Sequence, residues 1–143
     1  MRIQVINGPN LNLLGEREPA VYGKQSLNDL LTLLKSNFPN IDFHFIQSNH
    51  EGEIIDCIQM CNQNQIPIVI NPGGYSHTSV AIHDALKMST VPKIEVHITN
   101  IHQREHFRQH SITAMACNGV IAGLGFNGYC LAVEALILLS KSS

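Results

Sequence analysis

The chain has no tryptophan, no C-x-x-C cysteine pair and no apolar run long enough to cross a bilayer. Its longest apolar run, Ala135 to Leu139, falls far short of the roughly 18 residues that a spanning helix needs. Without an indole there is no tryptophan to stack on a flavin. No phosphate loop ending in Gly-Lys-Ser/Thr occurs, and the glycine-rich stretch Gly119–Tyr129, with no acidic residue placed to close a second strand, reads as a close-packing strand-to-helix turn and not as a nucleotide site. A net charge of -2 is too small to build a nucleic-acid surface. The four cysteines (Cys57, Cys61, Cys117 and Cys130) give no zinc or redox spacing. Cys57 and Cys61 fall four apart on a predicted helix and read as two small buried hydrophobes, a paired-thiolate metal site being the alternative. One arginine followed by a strand pattern does not make an export signal, so a cytoplasmic protein with reduced thiols is expected.

What is present is a regular alternation of short apolar runs and helical periods. At 143 residues, 44% of them hydrophobic, the chain is expected to form one domain, 1–143, with a core that needs no disulfide or structural metal. Strands are predicted at Ile3–Ile6, Ile41–Gln47, Ile66–Ile70, Lys93–Ile98 and Gly119–Ala122. Helices are predicted at Ser26–Asn37, where Ser26 can cap, and at Glu51–Asn62, Thr78–Met88 and Gly128–Ser140. A loop with a short helix is expected over Asn100–His110. Five β-α repeats predict an α/β fold: a five-stranded parallel sheet covered on both faces, flavodoxin-like in the order 2-1-3-4-5.

In such a sheet ligands bind beyond the carboxyl ends of the strands. Those ends are Asn7–Asn10, Ser48–His50, Asn71–His77, His97–Asn100 and Gly123–Gly125, rich in Asn, His, Ser, Thr and Gly. After the first strand comes a loop of roughly 18 residues, long for a compact domain. It carries Arg17 and Tyr22, and a guanidinium near a phenol favours tyrosinate, a candidate base. Glu95 and His97 share one side of the fourth strand, so the carboxylate can orient the imidazole as a general acid. Asn71-Pro-Gly-Gly-Tyr-Ser-His77 reads either as an anion-accepting strand-to-helix turn or as a plain one. His102, His106 and His110 would align on a helix, as a metal site or as a solvated face. Arg104 and Arg108 would then clamp an anion or face solvent.

Six ordered motifs bring these residues together. They are Asn7-Gly-Pro-Asn-Leu-Asn-Leu-Leu-Gly, Arg17-Glu-Pro-x-x-Tyr-Gly, Ser48-Asn-His-Glu-Gly, Asn71-Pro-Gly-Gly-Tyr-Ser-His-Thr-Ser, Glu95-Val-His-Ile-x-Asn and Arg104-Glu-x-Phe-Arg108. From Ile3 to about Leu136 the chain closely resembles the type II 3-dehydroquinate dehydratases. The resemblance implies a flavodoxin-like fold and a trans elimination of water from 3-dehydroquinate through an enolate, without metal or cofactor. The product is 3-dehydroshikimate, in the shikimate pathway or in quinate breakdown. It further implies a homododecamer, a tetramer of trimers, acting on a small molecule and not on nucleic acid or membrane.

By the same resemblance Tyr22 is the base, Arg17 lowers its pKa, and His97 protonates the departing hydroxyl with Glu95 orienting it. Asn10 holds the water that stabilises the enolate. Asn71, His77 and Arg108 bind hydroxyls, the backbone at Ile98 and Thr99 takes the carboxylate, and Asp84 reaches a neighbouring subunit's site. The five lysines (Lys24, Lys35, Lys87, Lys93 and Lys141) lie outside the matched catalytic positions, so imine chemistry is not expected. Thr99 and His83 stand where the family more often has Ser and Arg, the second bearing on the subunit contact.

Overall fold

The computed structural model describes residues 1–16, 20 and 24–142. Arg17 and Tyr22, and with them the expected base and its partner, lie outside the described residues. Five strands form one parallel sheet: β1 (Arg2–Asn7), β2 (Asp42–Gln47), β3 (Ile68–Asn71), β4 (Lys93–His97) and β5 (Gly119–Ala122). Their order is β2-β1-β3-β4-β5, as the alternation predicts. Among the described residues α-helices run over Leu27–Asn37 (α1), Glu51–Gln63 (α2), Val80–Met88 (α3) and Asn127–Lys141 (α4).

The period-two alternation of the strands sorts their side chains into two cores. Ile3, Val5, Val69 and Val96 pack on one face with Leu30 and Leu34 of α1 and Val133 and Leu136 of α4. Ile6, Ile68 and Ile70 pack on the other with Ile54 and Ile58 of α2 and Ile82 and Leu86 of α3. Each such aliphatic side chain, taken fully out of water, contributes about 1.5–3 kcal/mol before chain entropy is set against it. Ser26 caps α1 in a reciprocal box: its hydroxyl accepts from the Asp29 N–H at 3.3 Å and the Asp29 carboxylate accepts from the Ser26 N–H at 2.9 Å.

Three expectations need correction. The fourth repeat has no α-helix: the crossover from β4 to β5 contains the 3-10 turns Ile101–Gln103, His106–Arg108 and Thr113–Ala116. His102, His106 and His110 therefore do not line up on a helix, and His106 meets His110 edge-on, ring centres 6.1 Å apart. Among the described residues no group of three His, Cys, Asp or Glu side chains is placed to hold a metal ion. The third helix begins at Val80 rather than Thr78, capped by the Ser79 hydroxyl at 2.9 Å from the Ile82 N–H, because Gly73–His77 forms a 3-10 turn first. The long loop is also tethered at its start, where Leu11 and Leu14 are buried in the first core around a 3-10 turn, Leu11–Leu13.

The missing fourth helix changes the chemistry of β4. Ile94 and Val96 face the first core, whereas Lys93, Glu95 and His97 project from the opposite side and are all buried. Lys93 donates to the carbonyls of Ser89 at 2.8 Å and Val91 at 3.1 Å, and burial pushes its pKa down. An apolar helix packed there would leave Glu95 without partners. The polar turns of the crossover supply them instead.

Candidate active site

The strand order reverses between β1 and β3, and their carboxyl ends stand side by side with Asn7 opposite Asn71. The two loops that leave there interlock. The Gly8 N–H donates to the Asn71 carbonyl at 2.8 Å, and a Cβ on Gly8 would lie 2.2 Å from the Pro72 carbonyl oxygen. Gly73 has φ +63° with its own Cβ position 3.0 Å from the Pro9 carbonyl oxygen, so both loops need glycine where they meet. Asn10 follows in the left-handed region at φ 69°, its N–H held by Asn49 Oδ1 at 2.9 Å.

Above this junction opens a small cleft of about 140 Å³. The β1 loop contributes Asn10 to it and the β3 loop contributes Asn71 and His77. From β4 and the segment after it come His97, Ile98, Thr99, Arg104 and Arg108. Expected site residues from three separate strand ends thus meet in one place.

Behind His97 lies Glu95, fully buried, with Oε2 2.7 Å from His97 Nε2. Oε2 also accepts from the Ser111 hydroxyl at 2.5 Å, and Oε1 accepts from the Thr113 hydroxyl. With Nε2 engaged, Nδ1 is the nitrogen of His97 left for a ligand. The His77 ring stacks beside it, centres 6.3 Å apart, and its Nδ1 donates to the His110 carbonyl at 2.7 Å. Burial lowers the His77 pKa from the ordinary histidine value; the His110 carbonyl opposes that shift and the charges of His97 and Arg108 add to it. His77 is therefore neutral at pH 7, with Nε2 as an acceptor.

Asn71 is fixed on both ends of its amide. Its Oδ1 accepts from the Gly73 N–H at 3.1 Å, and its Nδ2 donates to the Tyr129 hydroxyl at 2.9 Å. That hydroxyl donates in turn to Asn7 Oδ1 at 2.6 Å, and burial of Tyr129 pushes its pKa well up, so it stays neutral. Tyr129→Phe should therefore destabilise the protein by about 1–3 kcal/mol, because two buried amide groups lose their partner. Thermal unfolding checks this, and an unchanged midpoint would show that Asn7 and Asn71 repair the network themselves.

The guanidiniums at the rim are partly occupied. Arg104 Nη1 donates to Thr99 Oγ1 at 3.3 Å, and Arg108 Nε donates to Glu105 at 2.5 Å. That pairing with Arg108 holds the exposed Glu105 carboxyl below its usual range. Asp84 is not in the cleft of its own chain: it sits on α3 with 64% of its side chain exposed, 3.1 Å from His83 Nδ1. The residues that sequence reasoning missed are Tyr129, Ser111 and Thr113. Tyr129 lay inside what read as a close-packing glycine turn, and the two hydroxyls gave no signal, because their role depends on a crossover that the strand-helix rhythm hides.

A family model described as dehydroquinase class II matches residues 1–137. The chain belongs to that family. It is 53% identical over 143 residues to a 3-dehydroquinate dehydratase of Lachnoclostridium phytofermentans, covering 98% of this chain and 99% of that one. The type II dehydroquinase of Butyrivibrio crossotus is similar in structure with a TM-score of 0.92 at 49% identity, over 95% of this chain and 97% of the other. A 3-dehydroquinate dehydratase-like protein from Bifidobacterium longum is more distant: TM-score 0.70 and 27% identity over 98% of each chain. Within the class II dehydroquinases the present chain thus stands nearer to relatives named as dehydratases than to that dehydratase-like protein.

Proposed function

We propose that the chain is a 3-dehydroquinate dehydratase that eliminates water in trans through an enolate, with neither metal nor imine. The observation that carries this reading is the buried Glu95–His97 pair, whose imidazole opens into a cleft lined by the polar side chains of Asn10, Asn71, His77, Arg104 and Arg108. Tyr22, ionised beside Arg17, takes the proton alpha to the ketone, and the electron pair moves onto the ketone oxygen. A free tyrosine has a pKa of about 10, so only about one in a thousand is ionised at pH 7. A positive neighbour shifts that balance by about 1–3 units. Asn10 holds a water against the enolate oxygen. Collapse of the enolate then breaks the bond to the hydroxyl, which leaves as water after taking the proton from Nδ1 of His97.

The remaining groups bind. Asn71, His77 and Arg108 take the ring hydroxyls, and the backbone at Ile98 and Thr99 takes the carboxylate. Asp84, exposed on α3, completes the site of a neighbouring copy within a cytoplasmic homododecamer of single-domain subunits. The decisive assay adds 3-dehydroquinate and follows the ultraviolet rise of the conjugated enone, with and without EDTA or borohydride. Turnover unaffected by either is expected, and absence of the enone would overturn the reading. In the same assay Tyr22→Phe and Arg17→Ala should each lower kcat at least about a hundredfold in a folded protein. Near-normal rates in either would remove Tyr22 from the role of base.

A further inference from the structure

The segment after the rim turns does more than join β4 to β5. Its His110 carbonyl holds His77, the Ile112 N–H donates to the Ser76 carbonyl at 2.7 Å, and Ser111 and Thr113 both reach Glu95. Four consecutive residues therefore brace the two histidines of the cleft from behind. The direction of the Ser111 bond is settled locally. Its oxygen accepts the Ala114 N–H at 3.1 Å, so its own hydrogen is the one given to Glu95. Thr113 is fully buried and donates to the other carboxylate oxygen.

We propose that Ser111 and Thr113 are positioning residues for the reaction: together they hold Glu95 as an oriented carboxylate and thereby set the direction and proton affinity of His97. The inference rests on the dehydratase reading for its kinetic consequence, though not for its electrostatic one. Two hydroxyl donors stabilise the charged carboxylate and take up part of its basicity. They also fill lone pairs that would otherwise let the carboxylate rotate away from the imidazole. Removing one leaves more negative charge for His97, so the pair holds its shared proton more tightly.

The other groups around the pair come from every side, and none replaces these donors. His77 stacks on His97 from the β3 turn, and Arg104 and Arg108 stand at the rim. Cys117 and Lys93 act on the same face of β4, where burial and the negative charge of Glu95 push the Cys117 thiol up to about 12, partly offset by Lys93.

Thr113→Val removes the hydroxyl at nearly constant volume, and Thr113→Ser keeps the hydroxyl but removes the methyl. A positioning role predicts that the valine variant loses about ten- to a hundredfold in kcat, with KM changed less than about threefold. The alkaline limb of its kcat profile should move up by about one pH unit, while the serine variant stays close to the parent. A merely structural role predicts the reverse order, since serine leaves a cavity and valine does not. The His97 titration, followed by NMR in the ligand-free protein, reads the electrostatic part without turnover. It must rise in both Thr113→Val and Ser111→Ala. An unchanged titration in the folded variants overturns the proposal, whereas a parent that shows the titration but no turnover overturns only the dehydratase reading.

Discussion

His97→Ala should lower kcat by about two to four orders of magnitude while leaving a folded protein that still binds 3-dehydroquinate. In barrier terms that is a loss of about 3–5 kcal/mol. The argument rests on what stays behind. When the imidazole goes, both Glu95 oxygens still accept hydroxyl protons from Ser111 and Thr113, so the buried carboxylate is not orphaned. Asn71, His77 and the rim arginines keep their hydrogen bonds to Tyr129, Gly73, the His110 carbonyl, Thr99 and Glu105, and His77 loses only the ring stacked beside it. Steady-state kinetics beside calorimetric binding check the separation. A variant with more than about a tenth of parental kcat would take His97 out of the proton path. Glu95→Ala is the less informative exchange, since it strands three donors at once and mixes lost chemistry with lost stability.

Gly8→Ala should produce the largest fall in stability of any single methyl added near the cleft, about 3–5 kcal/mol, or a melting temperature lower by about 10 °C. The added carbon would lie 2.2 Å from a backbone oxygen, that of Pro72, where about 3.3 Å is the close limit for such atoms. Backbone cannot swing aside as a side chain can, so the loops after β1 and β3 must part by about 1 Å. Parting would break the bond from the Gly8 N–H to the Asn71 carbonyl, and Asn10 and Asn71 would separate with it. KM for 3-dehydroquinate should therefore rise as stability falls, and the two are measured on one preparation. A midpoint within about two degrees of the parent would show that the loops yield freely.

The sheet and its carboxyl edge were legible because they rest on local periodicity. Ile68–Ile70 is a continuous apolar run, as a strand covered on both faces requires, and Ser26 with Asp29 marks a helix start at fixed spacing. The Glu95–His97 pair was legible for the same reason, since residues two apart on a strand share a side. What stayed hidden depends on contacts between segments far apart in the chain. Tyr129 reaches Asn7 across 122 positions, and Ser111 and Thr113 find Glu95 only because the crossover lacks a helix. The spacing of His102, His106 and His110 misled in a complementary way: a four-residue interval has meaning only where a helix exists.

That helix-free crossover also divides labour between stiff and adjustable parts. The Glu95–His97 pair is mounted on the sheet itself, on β4, with its carboxylate sealed away from solvent. The guanidiniums of Arg104 and Arg108 that line the cleft ride instead on short 3-10 turns. Substitutions in those turns would alter the rim of the cleft without touching the strand that carries Glu95 and His97.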